Sequence, residues 1–175
     1  MHKKSELPLR GKARVAVLVM KRYFLMGEDV QTLHHLKGAK QLKEYYCILI
    51  KLRSDRELSV GRLGNNFYFP RGYYVYVGRA KKNIEARIDR HCRKEKIRHW
   101  HIDYLSTAAE VIETITFGTE VGSECNLARK LQELEGRIIV KGFGSSDCCC
   151  SSHLLYFAAR PSSLFHRISS SFSHT

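Results

Sequence analysis

Residues 72–91 read Gly-Tyr-Tyr-Val-Tyr-Val-Gly-Arg-Ala-Lys-Lys-Asn-Ile-Glu-Ala-Arg-Ile-Asp-Arg-His. Aromatic and β-branched residues crowd Tyr73–Val77, a pattern that suits pleated backbone better than helix. Gly78 ends the run, a basic segment follows, and Asn83 stands where a cap would open a helix from about Ile84 to Arg93. The stretch therefore predicts strand, turn and helix in immediate succession. Tyr74 and Tyr76 share one face of that strand. Arg87 and His91, four residues apart, share one face of the helix. A tyrosine hydroxyl can hold or deprotonate a water and an arginine can grip a phosphate, so the unit points to phosphodiester chemistry.

The chain around this unit is basic. It holds 30 Lys and Arg against 17 Asp and Glu, a formal net charge of +13 and a pI of about 9.6. Such a balance favours polyanions: DNA, RNA or anionic lipid. From Lys81 to Arg98 eight bases face three acids, a local +5 beside the Tyr-rich strand. Charge and the Tyr, Arg and His groups thus fall together. No apolar run approaches the roughly 18–20 residues of a membrane span. Val15–Met20 follows basic residues but is ended by Lys21 and Arg22, short of the roughly 7–15 apolar residues of an export signal. Export and membrane insertion are rejected, and a cytoplasmic protein is expected. Cys47, Cys92, Cys125, Cys148, Cys149 and Cys150 include three neighbours in sequence, a poor disulfide framework, so reduced thiols are expected.

Three regions are expected: a basic extension over residues 1–40, a single domain over 41–160, and a Ser-rich tail over 161–175 that reads as disordered. Within the domain, Tyr45–Leu52 is a continuous apolar run that reads as a buried strand. Leu58–Gly61 and Phe67–Phe69 flank Leu63-Gly64-Asn65-Asn66, a hairpin turn. A short helical turn is expected at His99–Leu105, a half-exposed strand at Glu110–Phe117, and a helix at Glu124–Leu134 capped by Ser123 and ended by Gly136. Strands at Ile138–Val140 and Leu154–Ala159 enclose a loop over Gly142–Cys150. Helices are too few for a doubly wound fold. The expected class is α+β, a small mixed or antiparallel sheet flanked by helices.

At this point the residues resemble the GIY-YIG nuclease superfamily. Its first signature corresponds to Glu44-Tyr45-Tyr46 and its second to Tyr76-Val77-Gly78. A small residue, a short basic loop and a helix with a catalytic Arg follow in the family; here these are Arg79-Ala80, Lys81–Asn83 and Arg87. Some members place a His four residues further on, as His91 is. A later helix opens with a catalytic Glu, matched by Glu124 in Ser-Glu-Cys-Asn-Leu-Ala-Arg-Lys-Leu. The chain looks closer still to an uncharacterised, mainly archaeal and bacterial branch, some of whose members are fused to endonuclease III. That branch carries segments like Phe-Pro-Arg-Gly-Tyr-Tyr-Val-Tyr-Val-Gly, His-Trp-His-Ile-Asp-Tyr-Leu and Gly-Phe-Gly-Ser-Ser-Asp-Cys with a following Ser-His-Leu. These stand at 69–78, 99–105 and 142–154. The resemblance covers Gln41 to Ala159. Two features depart from it: Glu44 stands where the first signature has Gly, and no residue matches the late Asn that many members place near their metal.

The resemblance implies a Mg²⁺- or Mn²⁺-dependent endonuclease acting on DNA, in a repair setting. Tyr46 is then the base or water-holder. A phenol of pKa about 10 is a weak base at neutral pH unless Lys81, Lys82 or a metal lowers it. Tyr76 shares its hydrogen-bond network. Arg87 presents a planar fork to two phosphate oxygens. His91 donates to the leaving oxygen or relays a proton, and Glu124 holds one hydrated Mg²⁺. Arg79, Lys81, Lys82, Arg90 and Tyr74 are the expected nucleic-acid contacts. Each has a plainer reading: Tyr46 and Tyr76 as strand aromatics, Arg87 as a solvated helix residue, His91 as a surface or capping group, Glu124 as a carboxylate at a helix N-terminus. A second constellation, Cys148-x-Cys150-x₂-His153, has soft zinc-ligand chemistry but needs a fourth ligand from elsewhere, with Cys125, His99 and His101 as further members of the group. Asp147 can orient His99 or His101, and Trp100 is core or a base-stacking platform. Two other functions follow from these readings: a non-catalytic nucleic-acid-binding module on the same scaffold, and a zinc-stabilised interaction domain.

Overall fold

A computed structural model describes residues 43–64 and 66–172. The basic extension expected over 1–40 lies outside the described residues. Among the described residues six strands and four α-helices follow one another as β1 (Tyr45–Leu52), β2 (Arg56–Ser59), β3 (Asn66–Phe69), β4 (Gly72–Arg79), α1 (Ile84–Cys92), α2 (His101–Ala108), β5 (Glu110–Phe117), α3 (Glu124–Glu133), β6 (Leu154–Phe157) and α4 (Leu164–Phe172). The main sheet has the order β5-β1-β4-β6 with every pairing antiparallel, and β2 and β3 form a separate hairpin. The α+β class read from the sequence is the fold observed. No described helix is long and apolar enough to cross a membrane.

The two central strands are apolar along their length because both faces of the sheet are covered. On one face Tyr46, Ile48, Ile50 and Leu52 of β1 and Tyr74 and Tyr76 of β4 pack with Ile84, Ile102, Leu105 and Phe143. On the other, Tyr45, Cys47 and Leu49 with Val75 and Val77 pack against Leu127, Ala128 and Leu131 of α3 and Leu164, Phe165 and Ile168 of α4. Strand β5 is an edge and only half-buried. A bulge falls where β1 steps from Leu49 to Ile50, as edge pairings commonly allow.

Three local expectations are corrected. The run Ile138–Val140 forms no strand; only Arg137 bridges to Tyr156. Ile138 packs on one core and Val140 on the other, which residues two apart on a straight strand cannot do. Asn83 does not cap α1 with its side chain. It takes a left-handed conformation, φ 53°, and contributes only its carbonyl, which accepts the Arg87 amide at 3.1 Å. The Ser-rich segment read as disordered is α4 through Phe172. Its Leu164, Phe165 and Ile168 fall on one helical face and are buried, while Ser169 and Ser171 turn their hydroxyls back to the carbonyls of Phe165 and Ile168. Two serines of this stretch thus satisfy their hydroxyls along a helix held by three apolar anchors.

Candidate functional site

The end of β4, the starts of α1, α2 and α3, the tip of the β2–β3 hairpin and the 142–150 loop meet around an open cleft of about 1300 Å³. Its walls carry Arg62, Arg79, Lys81, Lys82 and Arg87, two carboxylates (Glu124 and Asp147), and His99, His101, Trp100, Tyr76 and Tyr104. Two glycines make the approach of these elements possible. Tyr46 of β1 pairs across the ladder with Gly78 of β4. A Cβ at Gly78 would lie 2.3 Å from the Tyr46 Cζ and Oη atoms, so only glycine lets that ring lie across β4. Gly144, with φ +73°, brings its loop against Tyr76, where a Cβ would sit 2.9 Å from the ring, and its amide donates to His101 Nδ1 at 3.1 Å.

Behind the cleft wall lies a buried polar chain. Tyr46 Oη and His91 Nε2 are 3.0 Å apart, and His91 Nδ1 is 3.5 Å from Asp103 Oδ1. The carboxylate favours the tautomer with the proton on Nδ1, leaving Nε2 to accept from the tyrosine. Tyr46, His91 and Asp103 are 1 %, 1 % and 0 % exposed, too enclosed for direct contact with a ligand. Burial raises the Tyr46 pKa well above that of a free phenol, against the pull of neighbouring Arg87. Burial drives the His91 pKa down to about 4, against the attraction of Asp103. Burial alone would also raise the Asp103 pKa. Hydrogen bonds from the amides of His99 and Trp100 and from Arg90 Nη1 outweigh it and hold the group below the usual carboxylate value.

These contacts correct several expected roles. The cation acting on the Tyr46 hydroxyl is Arg87, and neither Lys81 nor Lys82. His91 is not placed to donate to a leaving group in the cleft. Arg90 is not a free nucleic-acid contact, because it binds both oxygens of Asp103, donates to the Ile97 carbonyl at 2.8 Å and covers the Trp100 ring at 4.3 Å. Tyr74 is fully buried and donates to the Pro70 carbonyl at 2.6 Å, so it is a core residue. Asp103, unremarkable in sequence, is the anion that fastens α1 to α2. The only local sign of it is its position three residues after Trp100, where a helix-opening carboxylate reaches back to the amides before it.

Tyr76, Arg87 and Glu124, from three different elements, do meet in the cleft. Burial raises the Tyr76 pKa well above the ordinary value, so it enters the cleft as a neutral phenol. Arg87 lies over the Trp100 ring at 4.8 Å and donates from Nη1 to the Arg79 carbonyl at 3.2 Å, which fixes its direction. Trp100 is thus a half-buried platform for two arginines. Glu124 opens α3, whose cap is the Ser123 hydroxyl accepting from the Asn126 amide at 3.1 Å. Burial and the nearby Asp147 carboxylate raise the Glu124 pKa, while Arg79 and Arg87 oppose them. Glu44, at the departing signature position, accepts from Arg79 Nη2 at 2.6 Å and Nε at 3.1 Å. It ties down one of the cleft's cations and leaves Arg62, Lys81, Lys82 and Arg87 without a carboxylate partner within 4.0 Å among the described residues.

Residues 45–174, from the first residue of β1 to beyond the end of α4, match the family described as domain of unknown function DUF123. The chain belongs to that family. No curated protein and no solved structure matches it. The DUF123 match takes in α4, in keeping with the packing of that helix on the core.

Within the DUF123 domain the second constellation also assembles. Cys125 of α3 joins Cys148, Cys150 and His153, and the four ligand atoms lie within 4.8 Å of one another, a group that could hold a metal ion. Cys125 is the fourth ligand that the Cys148, Cys150 and His153 spacing called for. Burial and the neighbouring thiols push the Cys150 pKa up to about 12. His101 and His99 are turned to other partners, and Cys149 points outward.

Proposed function

We propose that this protein binds nucleic acid along the cleft and hydrolyses phosphodiester bonds with the aid of a divalent cation, as a GIY-YIG-type nuclease acting on DNA. The observation that carries this reading is the convergence of Arg87 with Glu124 and Asp147 in one basic cleft. A phosphodiester meets there a planar guanidinium already oriented by Trp100 and the Arg79 carbonyl, able to bind two of its oxygens. Arg62, Lys81 and Lys82 on the walls draw in the flanking backbone.

The carboxylate pair fits Mg²⁺ or Mn²⁺. Glu124 is held above its ordinary pKa by burial and by Asp147, so the two carboxylates repel in a partly desolvated space. A hard cation bound by both would relieve that repulsion. Such a cation supplies Lewis-acid stabilisation of the phosphate and a more acidic water. Arg87 neutralises charge on the non-bridging oxygens. Tyr76, a neutral phenol in the cleft wall, orients a water or donates to an oxygen. Tyr46, anchored by His91 and Asp103, is a positioning residue that holds the β4 end and its Gly78 in place.

A non-catalytic binding module is the second reading. It is favoured by the burial of the Tyr46 hydroxyl and by the Glu44 carboxylate on Arg79. Labelled duplex, branched and single-stranded DNA, with RNA counterparts, incubated with Mg²⁺ or Mn²⁺ decide between them. The nuclease reading expects cleavage by wild type and its loss in Glu124→Ala and Arg87→Ala proteins with unchanged circular dichroism. Salt-dependent binding with no cleavage of any substrate would select the binding module.

A further inference from the structure

We propose that Cys125, Cys148, Cys150 and His153 bind one Zn²⁺ as a closed structural site that staples the first turn of α3 to the 142–150 loop. The donor set selects the metal. Three thiolates and one imidazole are soft-to-borderline ligands, unsuited to Mg²⁺ or Ca²⁺ and matched to a d¹⁰ cation with four protein ligands. Bonds of about 2.3 Å to sulfur and about 2.0 Å to nitrogen place the ligands of a tetrahedral site roughly 3.5–3.8 Å apart. Here the four atoms fall within 4.8 Å, and Cys148 Sγ is already 3.4 Å from His153 Nε2. Closing the site needs side-chain movements on the order of 1 Å, not a change of fold.

The scaffold around the ligands is already built. The His153 amide donates to the Phe143 carbonyl at 2.8 Å and its carbonyl accepts the Val77 amide at 2.9 Å, so its backbone is fixed to β4 and to the loop. Its ring is 1 % exposed, and Nδ1 makes no well-formed hydrogen bond. Cys125 is set by the Ser123-capped start of α3. Cys149, between two of the ligands, is exposed and outside the cluster. The consequence reaches the cleft. Glu124 and Asp147 each immediately precede a ligand, Cys125 and Cys148, so a bound ion fixes the spacing of the two cleft carboxylates. The site itself uses none of the residues assigned to phosphodiester chemistry, and it stands whether or not the protein cuts nucleic acid.

The test uses the untagged full chain purified under reducing conditions with Zn²⁺ present. One zinc per chain is expected, with zinc-edge X-ray absorption giving three sulfurs at about 2.3 Å and one nitrogen at about 2.0–2.1 Å. Cobalt substitution should give the intense ligand-field bands of a tetrahedral thiolate site. Cys125→Ser and His153→Ala should lose most of the zinc, and Cys149→Ser should keep it. A chain that takes up no zinc from excess metal overturns the proposal. So does a coordination shell of oxygen and nitrogen only, or undiminished zinc in the Cys125→Ser protein. A disulfide among Cys125, Cys148 and Cys150 persisting under reducing conditions overturns it as well. The absorption measurement is made on wild type, so it decides the matter even where a variant fails to fold.

Discussion

Lowering the pH from 7 to 4.5 should cost this domain stability through His91, and the amount can be worked from its surroundings. The unfolded imidazole takes up a proton near pH 6.5. In the folded protein burial delays that event to about pH 4, even with Asp103 beside Nδ1. Between those values the unfolded chain holds one more proton than the folded chain, so the free energy of unfolding falls as pH falls. This contribution is fully present above about pH 6.5, declines through the interval and levels off below about pH 4. At about 1.4 kcal/mol per pH unit the whole interval is worth about 3 kcal/mol, of which about 2 kcal/mol is gone by pH 4.5. Lys96 and Arg90 also face Asp103, at 3.7 and 2.9 Å. The assay is urea unfolding followed by the fluorescence of the single tryptophan, Trp100, whose ring centroid is 5.4 Å from that of His91. Because His101 is also lowered by burial, the diagnostic quantity is the wild-type loss minus the loss in His91→Gln. A difference of about 2 kcal/mol is expected. Equal losses in the two proteins would refute the claim that His91 is held neutral behind the cleft.

Gly78→Ala should destabilise the domain by roughly 1–3 kcal/mol through overpacking against Tyr46, and the penalty should largely vanish in a Tyr46→Ala background. Equal penalties in both backgrounds by denaturant midpoint would sink the argument. Ile168→Ala, fully buried on α4, should cost about 2–5 kcal/mol by the same assay, whereas a disordered tail would show no change. Glu44→Gln removes the carboxylate holding Arg79, so nucleic-acid binding should tighten and the slope of log affinity against log salt should steepen by up to about 1. An unchanged slope in a binding titration would mean that Arg79 does not reach the backbone.

The main elements are legible in the chain because each rests on a local pattern. Tyr45–Leu52 is a run that only a strand covered on both sides would bury. Ser123 and Gly136 bracket α3, the first by accepting the Asn126 amide and the second by donating to the Leu131 carbonyl. The misreadings have a common cause. Ile138–Val140 and the Ser-rich helix are decided by which core each apolar side chain reaches, and composition does not carry that information.

The same division runs through the site. By itself the sequence determined the α+β class and the Tyr-strand, glycine turn and Arg-helix unit, and through its family resemblance it singled out Arg87, Tyr76 and Glu124, which meet in one cleft. Only the tertiary structure decided which of its polar groups line the cleft. Burial turned Tyr46, His91, Asp103 and Arg90 into an internal polar support, in which Tyr46 bonds His91 and Arg90 bonds Asp103. Chain crossing brought Asp147 to Glu124 and Cys125 to Cys148, Cys150 and His153, groups far apart along the chain. Local pattern fixes the direction of a side chain within its own element. Solvation and partners depend on what the other elements place around it.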